Sequence, residues 1–207
     1  MDTAFFITAF VTMFVVIDPI GLAPLFVALT QGMTEGARRR IALRATLIGI
    51  LILLAFAAFG EALLAFIGIS MPAFRVAGGI LLFLTALDML FERRTKRRDD
   101  KREEEREDPS VFPLAIPLIA GPGAIASVIL LMGQRPGIDG ALHVLGATGI
   151  VMLIVMAFFL ASGLIERALG KTGVTVVTRL LGMLLAALSV QFVLDGLSAF
   201  GFGPGAG

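Results

Sequence analysis

Val15-Val16-Ile17-Asp18-Pro19-Ile20-Gly21-Leu22-Ala23-Pro24 sets a carboxylate, two prolines and a glycine in the middle of an apolar run of membrane length. A second stretch of the same kind, Ala120-Gly121-Pro122-Gly123, interrupts another apolar run about a hundred residues later. In lipid an unpaired backbone N–H or C=O costs several kcal/mol, so a helix broken at mid-depth survives only where protein or a water-filled cavity satisfies the freed groups. Paired interruptions of this kind point to a binding site near the bilayer midplane.

The surrounding composition agrees. With 57% hydrophobic residues, 16% charged residues and a mean hydropathy of +0.96, a chain of 207 residues has more apolar surface than a water-soluble core of its size can bury. An all-α integral membrane protein is expected. A hydrocarbon layer about 30 Å thick takes roughly 20 apolar residues per helix. Six segments near 5–29, 41–67, 72–91, 111–132, 141–165 and 177–200 meet that length, the first and fourth being the broken ones. The first segment is too long, and lacks the flanks and cleavage site, to be a removable signal peptide, so it is expected to stay in the mature protein.

The basic residues divide unevenly between the two sides. Arg38, Arg39, Arg40 and Arg44 flank the first connection, eight Lys and Arg between Arg93 and Arg106 fill the third, and Arg167, Lys171 and Arg179 mark the fifth. Only Arg75 and Arg135 fall on the other side. Lys and Arg collect on the cytoplasmic side, so the odd-numbered connections are expected there and both termini opposite, in an inner (plasma) membrane. The run Glu92 to Asp108 holds eight acids against eight bases, which cancels any long-range field and argues for a solvated linker rather than a nucleic-acid surface.

Residues 1–91 can be laid over residues 111–200, with a charged linker at 92–110 between them and a Gly/Pro tail at 201–207. Phe74-Arg75-Val76-Ala77-Gly78-Gly79-Ile80-Leu81-Leu82 falls on Thr178-Arg179-Leu180-Leu181-Gly182-Met183-Leu184-Leu185-Ala186. Arg75 thereby matches Arg179, Gly78 matches Gly182, and Pro19 matches Pro122 within one residue. Each half has three spans, so two related halves must enter the membrane in opposite directions, as an inverted repeat.

These residues carry a family resemblance. Asp18-Pro19-Ile20-Gly21 followed by Pro24, the Phe74 to Leu81 segment, Pro113-Leu114-Ala115-Ile116-Pro117-Leu118-Ile119-Ala120-Gly121-Pro122-Gly123, and Arg179-Leu180-Leu181-Gly182 with Ala186 to Phe192 resemble the signatures of the MarC family. The likeness covers nearly the whole chain apart from the linker and the tail. The family, also described as SnatA-like neutral amino acid transporters, implies a six-helix inner membrane protein that moves small neutral amino acids such as glycine and alanine.

The residues themselves suggest how such a ligand would be held. The N-terminus of a half-helix attracts a carboxylate and a C-terminus attracts an ammonium group or a metal cation. Asp18, Pro19, Ile20 and Gly21 with Ala120, Gly121, Pro122 and Gly123 are therefore the expected substrate-binding segments. Gln191 is the next polar candidate. A carboxylate at membrane depth is functional by default, and Asp18 can cap the segment after Pro19 while keeping lone pairs for an ammonium, a proton or Na⁺. The same segments read simply as proline kinks relieved by neighbouring helices. Arg75 and Arg179 suit either snorkelling to lipid phosphate or gating, with Glu61 a potential partner of Arg75. His143, the one histidine, reads as structural.

No GxxxxGK[ST] loop is present, so a transporter would draw on the substrate gradient or on Na⁺ or H⁺ as coupling ion. Cysteine is absent, and nothing in the chain calls for a metal or other cofactor. Expected partners are a small neutral amino acid and membrane lipids, with no nucleic acid; an oligomer is compatible with the sequence. Two other classes stay open: an intramembrane enzyme acting on lipid with Asp18 as base, and a structural or regulatory subunit. The absence of a Ser/His/Asp set or an HExxH helix argues against the enzyme.

Overall fold

The computed structural model describes residues 3–91 and 108–202. Most of the charged linker and the end of the tail lie outside them. The described chain forms eight helical segments: α1 (Thr3–Ile17), α2 (Pro19–Leu29), α3 (Glu35–Ile67), α4 (Met71–Leu90), α5 (Ser110–Ile119), α6 (Pro122–Gln134), α7 (Ile138–Leu160) and α8 (Ser162–Ala199). By length and composition five helices can cross a membrane, Thr3–Leu29 counting as one, and α5 with α6 makes a sixth bent by 50°.

Two segments differ from the sequence expectation. Pro113 and Pro117 deny α5 the N–H groups of a regular helix, and Phe112 and Ile116 leave helical dihedrals, so α5 winds in wider turns. One such turn is closed by the Ala120 N–H donating to the Ala115 carbonyl at 2.9 Å. The fifth span ends at Leu160 rather than near 165, because Ser162 opens a new segment that joins the last span through Gly170 at φ 62°.

Helix directions follow from a few contacts. Thr46 and Gly49 of α3 meet Met156 and Met152 of α7, which makes those helices antiparallel. Gly79 of α4 faces the Ser189 carbonyl and Val193, whereas Gly182 of α8 faces Met89 and the Ala86 carbonyl, so α4 and α8 also run antiparallel. A Cβ on Gly79 would lie 2.7 Å from that carbonyl oxygen. The backbones approach closely because the seam is lined by small residues, as helix contacts in lipid require.

Each half lends its middle span to the other. α3 packs on α5 and α6 through Gly49 against Ile119 and Gly60 against Ile129. α7 packs on α1 and α2 through His143 between the Phe5 and Phe6 rings, and through Phe159 stacked on Phe26 with centroids 4.6 Å apart. This reciprocal exchange, with both helix pairs antiparallel, is what two inverted three-helix repeats produce. Outward-facing positions carry exposed Leu47, Leu51, Phe59 and Phe66 of α3, Leu153 of α7 and Leu184 of α8. In water such a surface would aggregate; in a bilayer it meets acyl chains.

Candidate functional site

The first break is confined to one residue. Asp18 adopts φ 53° and ψ 66°, and among the described residues it is the one non-glycine with positive φ. Asp and Asn enter this left-handed region more readily than other side chains, since their short polar groups can bond locally. Here Asp18 Oδ1 accepts the Gly21 N–H at 3.0 Å, capping α2, while Asp18 itself is 2% exposed. Helical bonding resumes at once on either side: the Asp18 N–H donates to Phe14 at 2.9 Å and the Leu22 N–H to Asp18 at 3.0 Å. Pro19 has no N–H to offer, so the Val15 carbonyl lacks its donor four residues on.

The second break is wider. Gly121 is extended (φ −80°, ψ 169°), and a Cβ there would lie 2.4 Å from the Pro117 carbonyl oxygen. Pro122 occupies the first turn of α6, and no side chain caps that turn. Gly123 and Ala124 are buried there. The first turn of a helix carries unsatisfied N–H groups and a partial positive charge.

The two breaks meet. A Cβ on Gly123 would lie 3.4 Å from Val16 Cγ1, 3.1 Å from Leu82 and 3.5 Å from Thr85 Oγ1. The start of α6 thus rests on the last turn of α1, one side of the contact positive through helix dipole and the other negative through Asp18 and the ends of the α1 carbonyls. Asp18 and Pro19 are buried, Ile20 and Gly21 half-buried, and Ala120, Gly121 and Gly123 buried, whereas Pro122 is exposed.

Gln191 is not brought to this place. It is exposed, and its amide donates to Asp195 Oδ1 at 2.6 Å. Ser189 and Val193 face the α4 seam, and two residues along a helix turn the side chain by roughly 200°. Gln191 therefore points away from the bundle. Arg75 is half-buried in the first turn of α4, with a buried Nε that makes no hydrogen bond; Arg179 is exposed on α8. The antiparallel packing of α4 and α8 puts these two arginines toward opposite ends of the bundle. Glu61 lies against Gly133 and Met71 on α6 and α4 and forms no ion pair with Arg75.

Sequence reasoning missed Thr178. A Cβ on Gly21 would lie 2.2 Å from Asp18 Oδ2 and 3.1 Å from Thr178 Oγ1, so α8 brings a hydroxyl to the first break. The signal was present in the repeat: Thr178 stands where the first half has Phe74, a polar residue in place of an aromatic one. The aromatic closures at the two ends were missed as well. At the end bearing Arg38, that side chain lies over Phe26 at 5.8 Å and donates to Ser162 Oγ at 3.2 Å beside the Phe26 and Phe159 stack. At the opposite end, His143 is 5% exposed with Nδ1 2.6 Å from the Asp139 carbonyl oxygen, and Arg135 lies over Phe5.

Asp108 ties α5 to α3 beside the Arg38 end. Its Oδ1 accepts the Ser110 hydroxyl at 2.7 Å and the Ser110 N–H at 3.0 Å, and its Oδ2 meets Arg44 Nη1 at 2.5 Å. The Ser110 bonds, more than the Arg44 charge, hold its carboxyl below the ordinary carboxylate range.

Residues 3–200 match the model of the MarC family integral membrane proteins. A UPF0056 membrane protein of Archaeoglobus fulgidus is 39% identical over 94% of this chain and 93% of its own length. YvbG of Bacillus subtilis, described in the same words, is 37% identical over 95% and 96%, and YhcE of Escherichia coli 33% identical over 95% and 92%. No solved structure matches the chain. With its apolar spans and its match to that family along almost its full length, this multi-pass membrane protein belongs to the MarC family.

Proposed function

We propose that this chain is a secondary transporter of small neutral amino acids, of the size of glycine and alanine, working by alternating access around the paired breaks. One observation carries the reading: the uncapped first turn of α6 at one break touches, through Gly123 and Val16, the last turn of α1, which runs into a carboxylate 2% exposed and held in a left-handed backbone at the other. A zwitterion needs both a negative and a positive partner a few ångströms apart, and this contact offers both. The glycines at 21, 121 and 123 let the Asp18 carboxylate, the Pro117 carbonyl and Val16 come up against the backbone of the breaks.

In this reading the arginine-rich end faces the cytoplasm, both termini lie outside, and the membrane is the plasma membrane; bacterial and archaeal relatives support that location. The aromatic closures at Phe26 with Phe159 and at Phe5, Phe6 with His143 are the two gates. Arg75 and Arg179 assist at opposite ends, and Na⁺ or H⁺ supplies the coupling. No bond of the solute is made or broken.

Counterflow in proteoliposomes tests this. The wild type should exchange glycine and alanine saturably, Asp18→Asn and Gly123→Leu should abolish exchange, and removal of Na⁺ or collapse of a pH gradient should identify the coupling ion. A folded wild type that exchanges neither solute would end the amino acid reading.

A further inference from the structure

Most hydroxyls in the spans of this protein bond their own helix. Thr8 donates to the Ala4 carbonyl at 3.0 Å, Thr30 to Phe26 at 2.7 Å, Thr85 to Leu81 at 3.0 Å and Ser189 to Ala186 at 2.6 Å. That is the usual fate of Ser and Thr in apolar helices. Thr178 departs from it, as Ser127 and Thr148 do: its Oγ1 is buried and has no hydrogen-bond partner. A buried, unmade hydrogen bond carries the full desolvation penalty, so such a group calls for an explanation.

Position supplies one. Thr178 Oγ1 and Asp18 Oδ2 flank the same point above Gly21, at 3.1 and 2.2 Å, so the two oxygens are no farther apart than the sum of those distances. A hard cation binds oxygens at roughly 2.3–2.6 Å and so bridges a gap of about 5 Å or less. Broken membrane helices coordinate cations through unwound carbonyls and half-helix C-termini, and the Val15 carbonyl, deprived of its donor by Pro19, belongs to the same turn.

We propose that Thr178 is the second side-chain oxygen of a compact monovalent-cation site built on Asp18, joining α8 to the break between α1 and α2. The cation is Na⁺ or the ammonium head of the transported amino acid, which share this chemistry. The assignment rests on the transport reading for its purpose, but not for its test.

The test is the thermal unfolding of purified protein in detergent, followed by far-UV circular dichroism in choline buffer, with Thr178→Val and Thr178→Ser as variants. Sodium chloride is titrated in one arm; glycine is titrated in the other, with N-acetylglycine, whose nitrogen carries no charge, as its control. Stabilisation by Na⁺ identifies the ion as the occupant, and stabilisation by glycine but not N-acetylglycine identifies the ammonium group. In Thr178→Val the midpoint of the response should rise about ten-fold or more, the effect of losing one charge-assisted oxygen contact, while Thr178→Ser stays close to wild type. An undiminished response in Thr178→Val overturns the proposal, as does a folded wild type that responds to neither titrant. A cation response without counterflow would remove the transport reading alone. Counterflow with unchanged ion dependence in Thr178→Val would remove the Thr178 assignment alone.

Discussion

At Gly21 the Asp18 carboxylate fills the space where a side chain would begin. Alanine there would put its Cβ 2.2 Å from Asp18 Oδ2, so the carboxylate must leave its cap. Gly149 on α7 has no atom within 4 Å of the same point. Gly21→Ala should therefore abolish solute exchange in vesicles while Gly149→Ala leaves it intact; equal rates for the two variants would show that the carboxylate's position is immaterial. Asp18, Gly21 and Gly123 could be read from the sequence because an acid, a proline or a glycine in an apolar run has few cheap explanations. Gln191 and Thr178 could not be placed. A polar residue on a membrane helix declares no face until a partner helix is known, and only the packing of α8 turned Gln191 outward and Thr178 in.

Along the elements, the seam between α4 and α8 has little freedom. Gly79 faces backbone rather than a flexible side-chain tip, so Gly79→Ala forces the helices apart. A loss of about 1–3 kcal/mol is expected, read as a lowered unfolding temperature relative to Gly149→Ala. The start of α5 offers an electrostatic counterpart. Asp108 titrates below the ordinary value of 3.8 chiefly because Ser110 bonds its charged form, with Arg44 secondary. A carboxyl depressed on folding stabilises the protein above that value, and its contribution fades as the pH falls through the lowered one. Ser110→Ala should raise the Asp108 midpoint further than Arg44→Gln does, followed by carbon-detected NMR of the labelled carboxyl. The reverse order would mean that the charge outweighs the hydrogen bonds. Helix existence was readable throughout from apolar length, whereas the wide turns of α5 were not. Two prolines four residues apart say only that a regular helix is disfavoured, and the winding that replaces it is set by the packing of Ile119 against Gly49.

Across the whole molecule, the spans and the two breaks were legible in hydropathy and proline placement, whereas the exchange of middle spans between the halves was not, because repetition gives direction and no packing partner. The contacts that close each end were not legible either, because stacking of Phe26 on Phe159 depends on how α7 sits against α2. Orientation is directly testable, since the chain contains no cysteine to give background labelling. Cysteines introduced at Gly36 and Gln134, both exposed and at opposite ends of the bundle, should react with an impermeant maleimide from opposite sides of the cell membrane, Gln134→Cys from outside. Labelling of both from one side would break the six-span topology.

The exchange of helices also fixes an order of assembly. Residues 1–91 leave the ribosome before any of their partners exist, so α3 waits for α5 and α6, and the glycine face of α4 waits for α8. The hydroxyl that completes the first break is on the last helix to be made. A nascent chain halted after α7 would carry an uncovered glycine face on α4 and an Asp18 without its α8 neighbour, a natural mark for the proteases that clear unfinished membrane proteins.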